Sequence, residues 1–183
     1  VRLFVAVTPP PDAIDELRSA TAALRTGSEQ LRWSAPEQWH LTLAFLGEVD
    51  DRARQDVVER LGRAAARHGP CTLSLAGAGR FGQRVLWTRV HGDVDRLRRL
   101  AASVRAAARR SRIAVEDRPY RPHLTLARAR GDADLRPAVA ALSGFAGREW
   151  TADELHLVHS RLGAGPDGRA HHELLRSWSL GRS

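Results

Sequence analysis

Two segments of this 183-residue chain carry the same tetrapeptide, His40-Leu41-Thr42-Leu43 and His123-Leu124-Thr125-Leu126, 83 residues apart. Each joins an imidazole, which gains or loses a proton near neutral pH, to a hydroxyl that donates a hydrogen bond. The runs are apolar and bounded by Pro36 and Gly47 in one copy and by Pro122 and Gly131 in the other, so both read as strands. On a strand alternate side chains share a face. His40 then points the same way as Thr42, and His123 the same way as Thr125, with the leucines on the opposite face. Two such strands could grip one anion from both sides. A single His-x-Thr is more often a half-buried packing pair than a site. Doubling changes that reading, because packing calls for the leucines and gives no reason for an imidazole in both halves. Chance, from the chain's own composition, yields the tetrapeptide on the order of 0.006 times.

In-line displacement at phosphorus removes a proton on one side and delivers one on the other, and two imidazoles flanking a phosphate can do both. With a reference pKa of about 6.5, one ring can be neutral while the other is protonated. Threonine hydroxyls and an arginine would add charge stabilisation, so this chemistry calls for no metal and no cofactor. The other histidines carry weaker signals. His156 and His159 are three apart on an apparent strand and face opposite sides, as do adjacent His171 and His172, which argues against paired metal ligation. His68 and His91 fall at element ends and read as surface residues. Trp33 and Trp39 read as packing. Tyr120 and Arg121 precede the second motif and could line the same space. By strict alternation Phe45 shares the face of Leu43, and Arg128 that of Leu126, away from the imidazoles unless the strands bend.

The elements that must position these groups follow from periodicity. Apolar residues at helical spacing mark Ile14, Leu17, Thr21 and Leu24, then Val57, Leu61, Ala64 and Ala65, then Leu97, Leu100, Ala101, Val104 and Ala108. Asp12, Asp50 and Asp93 open these helices as caps or first-turn acids. Strands are expected over residues 2–8, 40–46, 71–76, 84–90, 123–129, 153–159 and 172–180. Gly77, Gly79 and Gly82 mark a hairpin, and Gly163 to Gly168, with Pro166 and Asp167, a turn before the last strand. The order predicts an α+β fold, two lobes of antiparallel sheet with outer helices about a central cleft, as a single domain over 1–183. The lone Cys71 reads as a small core residue in a reducing cytoplasm. The opening run Leu3-Phe4-Val5-Ala6-Val7 is too short for a membrane span. A net charge of +8 favours an anionic partner such as nucleic acid. All 29 basic residues are arginine, however, so part of that charge is compositional bias. The arginines of the third helix, among them Arg96, Arg98, Arg105, Arg109 and Arg110, read as a solvated face sooner than an RNA-binding stripe.

These residues resemble the 2H phosphoesterases, named for two His-x-Thr/Ser motifs, and among them the RNA 2',3'-cyclic phosphodiesterases, also called 2'-5' RNA ligases. The likeness runs through Arg2-Leu3-Phe4-Val5-Ala6-Val7, Trp39 to Gly47, Arg121 to Arg128, and the tail from Leu157 to Leu180; His171-His172 departs from it. The resemblance implies a bilobal, pseudo-twofold fold and metal-independent opening of a ribose 2',3'-cyclic phosphate at an RNA end or in a cyclic nucleotide, leaving the phosphate on O2'. It assigns His123 as the base that activates water, His40 as the acid that protonates O3', and Thr42 and Thr125 to the non-bridging oxygens. Phe45 and Arg128 match positions that flank the terminal base or touch the phosphate. A soluble cytoplasmic monomer is expected. RNA ligation through a 2'-5' bond, or a module that binds RNA or nucleotide without turnover, are the alternatives.

Overall fold

The computed structural model describes residues 1–27, 29–165 and 168–181. In chain order the elements are β1 (Arg2–Val7), α1 (Pro11–Gly27), β2 (Leu31–Trp33), β3 (Leu41–Glu48), α2 (Asp51–Arg67), β4 (Cys71–Phe81) and β5 (Val85–Gly92). They continue with α3 (Val94–Arg110), β6 (His123–Ala129), α4 (Arg136–Ala141), β7 (Trp150–Ala152), β8 (Glu154–Arg161) and β9 (His171–Ser179). Two antiparallel sheets result, one ordered β3-β1-β8-β9 and the other β2-β6-β5-β4-β7. The architecture is the expected α+β pair of sheets with helices outside.

The 83-residue offset between the motifs governs the whole arrangement. It carries α1 onto α3, residue for residue, and sets β1 over β5, β3 over β6 and the start of β4 over the start of β8. Yet β4 pairs with β5, and β8 with β1. Each sheet therefore takes its third strand from the other half of the chain, and neither half completes its own sheet. The apolar stripes predicted from the sequence face this core: Val57, Leu61, Ala64 and Ala65 of α2, and Leu97, Leu100, Ala101, Val104 and Ala108 of α3, are buried. They pack with Leu41 and Leu43 of β3 and Leu124 and Leu126 of β6, each nearly inaccessible to solvent. Burial of such a side chain is worth roughly 1.5–3 kcal/mol, so the leucines of the tetrapeptides anchor the motifs from behind.

Local chemistry modifies several expectations. Asp50 caps α2, its carboxylate accepting from the Ala53 amide at 2.8 Å. Asp93 precedes α3, but its side chain accepts from the Thr72 amide, tying the helix entry to β4. The glycines expected to form a hairpin lie mostly within β4: that strand continues through Gly77 and Gly79 and the turn comes at Gly82. Gly79 packs beneath Trp87 so closely that a methyl group there would overlap the indole. Pro166 and Asp167, assigned to a turn, lie outside the described residues; the flanking Gly163 and Gly168 have φ of 74° and 73°, the left-handed region that favours glycine. No helix among the described residues is long and apolar enough to cross a membrane.

Candidate active site

Both motif strands are bulged at the same place. In β3 Thr42 pairs with Ala6 and Ala44 with Val5, leaving Leu43 as the extra residue; in β6 Thr125 pairs with Trp87 and Ala127 with Leu86, leaving Leu126 extra. An inserted residue reverses the alternation beyond it. Leu43 and Ala44 are both buried, as are Leu126 and Ala127, and the next residues, Phe45 and Arg128, emerge on the solvent side. Phe45, 61 % exposed, comes to the face of Phe4, with ring centroids 6.3 Å apart. The strands do bend, and the bend turns Phe45 and Arg128 to the side of the imidazoles.

His40 is held on several sides. Its Nδ1 lies 2.7 Å from the Gln38 carbonyl, which must accept, so Nδ1 carries the proton and Nε2 is an acceptor. The Thr42 hydroxyl, 2.8 Å from Nε2, donates to it. Phe4 stacks on the ring at 4.6 Å, and His172 stands edge-on at 5.3 Å while also packing against Phe4 at 5.0 Å. His123 repeats the pattern: Nδ1 donates to the Arg121 carbonyl at 2.6 Å, Phe81 meets the ring edge-on at 4.8 Å, and Trp87 lies 6.2 Å away. Phe4 and Trp87 are themselves 83 residues apart, so each imidazole rests against an equivalent aromatic. No hydrogen bond occupies His123 Nε2 among the described residues.

Burial sets the electrostatics. Desolvation pushes the His40 imidazole down to about 4, against the Gln38 carbonyl, which favours the cation, and with help from the positive forms of His172 and His123. Desolvation likewise lowers His123 and His172. The two motif rings are thus electrostatically coupled, and β3 and β6 approach each other where the sheets meet. Without a ligand both rings are neutral at neutral pH; an anion between them would favour their cations. Thr125, half-buried, lies opposite Trp87 across the β5–β6 ladder. Three arginines border this second motif: Arg128, Arg32 opposite it on β2, and Arg89 opposite His123, its guanidinium 5.3 Å from the Trp87 ring. Among the described residues no three His, Cys, Asp or Glu side chains converge as metal ligands would.

Sequence reasoning missed Phe4, Phe81, Trp87, Arg32, Arg89 and His172 here. For Phe4 and Trp87 the signal was present, since both are aromatic and share the motif offset. For His172 it was the parity of the histidine pair, one of which must face inward. Tyr120, which the sequence could place beside the second motif, packs on the core with Arg105 over its ring at 5.7 Å.

Known proteins resemble the chain throughout. A curated RNA 2',3'-cyclic phosphodiesterase of Thermus thermophilus is 33% identical over 174 residues, 88% of this chain and 83% of that protein. One of Geobacillus stearothermophilus is 30% identical over 139 residues, 73% of this chain but only 44% of its own length. The crystal structure of E. coli LigT complexed with 3'-AMP superposes with a TM-score of 0.76 at 28% identity, covering 98% of this chain and 96% of that one. The sequence pattern of the 2'-5' RNA ligase superfamily matches residues 4–164. With its two His-x-Thr strands set in a fold shared with these proteins, the chain belongs to the 2'-5' RNA ligase superfamily, the 2H phosphoesterases.

Proposed function

We propose that this protein is a phosphoric diester hydrolase that opens 2',3'-cyclic phosphate at RNA ends or in cyclic nucleotides, without a metal, leaving a 2'-phosphate. The observation that carries this reading is the state of the two Nε2 atoms. That of His123 is an acceptor with no partner among the described residues, as a general base needs, and that of His40 is held by the Thr42 hydroxyl. Water gives its proton to His123 and its oxygen adds to phosphorus. The P–O3' bond breaks, and His40, protonated on Nε2 once the anion is bound, delivers that proton to O3'. Thr42 and Thr125 donate to the non-bridging oxygens, Arg128 adds charge, and Phe45 takes the base of the terminal nucleotide. The names of the curated relatives and the 3'-AMP complex of LigT support an RNA or nucleotide substrate. The two lobes act as a single domain over residues 1–183, a monomer of the cytoplasm, where the free, buried Cys71 suits a reducing compartment.

The test is hydrolysis, in excess EDTA, of an oligonucleotide ending in a 2',3'-cyclic phosphate, followed by phosphorus NMR of the product. His40→Ala and His123→Ala should each lower kcat/KM by roughly 100-fold to 10,000-fold; full turnover in both variants ends the proposal. The superfamily's name favours one further reading, joining of RNA ends through a 2'-5' bond by the same displacement with a 5'-hydroxyl in place of water: its oxygen adds to phosphorus, its proton goes to His123 and O3' leaves with the proton from His40. Incubation of a cyclic-phosphate end with a 5'-hydroxyl RNA tests it.

A further inference from the structure

α2 packs against α3, and the seam opens into a pocket of about 50 Å3 that includes none of the candidate site residues. Arg60, Arg63 and Arg67 line it from α2, and Arg110 from α3 beside Ser103. Their spacings of three, four and seven put each set on one helix face. One water needs about 10–15 Å3 of such space, so the pocket takes a group the size of a phosphate.

Four arginines line it, and one of them has a carboxylate partner. Arg63 pairs with Glu59 at 2.8 Å, one turn back. Arg60, which is half-buried, Arg67 and Arg110 make no ion pair or hydrogen bond among the described residues. Most other arginines of α3 are engaged: Arg96 donates to the Pro70 carbonyl, Arg98 to Asp95, Arg105 to the Arg118 carbonyl and Arg109 to Asp117. The stripe is therefore divided between internal partners and this pocket, which the sequence alone did not separate. The Ser103 hydroxyl lies 2.7 Å from His68 Nε2, and His68 is held below its usual pKa first by desolvation and then by Arg67 and Arg99. Positive potential collects at the seam, and a bound oxyanion would relieve it through paired N–H donors.

We propose that this pocket is a second anion site, one that takes a backbone phosphate of the RNA whose end occupies the cleft. Guanidiniums spread along two helix faces suit a chain of phosphates better than a single ion. The proposal rests on RNA being the substrate class, as above. A free phosphate offers the same chemistry, and the test separates the two sources.

The test compares wild type with the triple variant Arg60→Gln/Arg67→Gln/Arg110→Gln, none of them a residue of the candidate active site. Fluorescence anisotropy with a 20-nucleotide single-stranded RNA ending in a 3'-hydroxyl reads binding without turnover. Each phosphate that the protein no longer neutralises lowers the slope of log K against log salt by roughly 0.7. The triple variant should therefore fall by between about 0.7 and about 2 in slope and about tenfold or more in affinity at low salt, and hydrolysis of a cyclic mononucleotide should not change. The matching arginine-to-lysine triple should keep the slope. Unchanged RNA affinity and slope in the glutamine variant overturns the proposal. So does a second arm, thermal melting with inorganic phosphate, if the glutamine variant loses only the stabilisation that phosphate gives wild type while RNA affinity is unchanged, which marks a small-anion site. If wild type fails to hydrolyse the cyclic mononucleotide, the catalytic reading falls while the RNA arm still decides this one.

Discussion

The ring of His172 stands edge-on to that of His40, centroids 5.3 Å apart and planes at 74°. Neither half of the repeated motif contains it; β9 brings it in, where it lies opposite Ser160 of β8. Its charged form opposes a charge on His40. His172→Phe keeps a ring in place and removes that charge, so the His40 pKa should rise and the low-pH break in log kcat/KM should move up by several tenths of a unit. An unmoved break in the phenylalanine variant, with folding intact, sets this coupling aside.

Because kcat/KM reports the free enzyme, its bell should lie on the acid side of neutrality, between about 4, where His40 titrates, and the lowered pKa of His123. The profile of kcat belongs to the complex. There the bound anion favours both imidazolium forms, and the profile should shift to higher pH. Coincident profiles would show that the phosphate does not sit between the rings.

Acid should also unfold the protein through these residues. A buried imidazole whose pKa is depressed stays neutral in the folded chain while the unfolded chain takes up a proton. The stability is fully present above about pH 6.5 and is lost as pH falls toward 4. For His40 this amounts to at most about 3 kcal/mol, with His123 and His172 acting in the same direction. Urea midpoints at pH 7.5 and pH 4.5 measure it, and His40→Phe should flatten the difference.

Gly79→Ala tests the support beneath the second motif. A methyl group at that position meets the Trp87 ring, which lies against His123. Overpacking of this kind typically costs about 1–3 kcal/mol, and the displaced indole should lower turnover more than it raises KM. Wild-type melting and turnover would mean that Trp87 has room to move.

Phe45→Ala addresses the bulge. If the exposed ring stacks on the terminal base, its loss should raise KM by roughly tenfold, with kcat little changed, since base stacking is worth about 1–3 kcal/mol. Equal effects on a cyclic phosphate with and without a base would exclude stacking.

The sequence by itself determined the three long helices and most strands, because burial of one face imposes a period of 3.6 or 2 that composition cannot hide; α4, β2 and β7, of six, three and three residues, are too short to show a period and were missed. It also placed the two imidazoles with their threonines, since the tetrapeptides alternate cleanly up to the bulges. Alternation failed beyond Leu43 and Leu126, where an extra residue in each strand reverses the faces; a bulge shows itself only in the register against a partner strand, Ala6 and Val5 in one case, Trp87 and Leu86 in the other. Tertiary structure likewise decided that β4 and β8 cross between halves, that His172 joins His40, and which arginines of α3 find partners. Periodicity is a property of one segment, whereas pairing, desolvation and charge coupling depend on segments distant in the chain, and only the folded molecule brings those together.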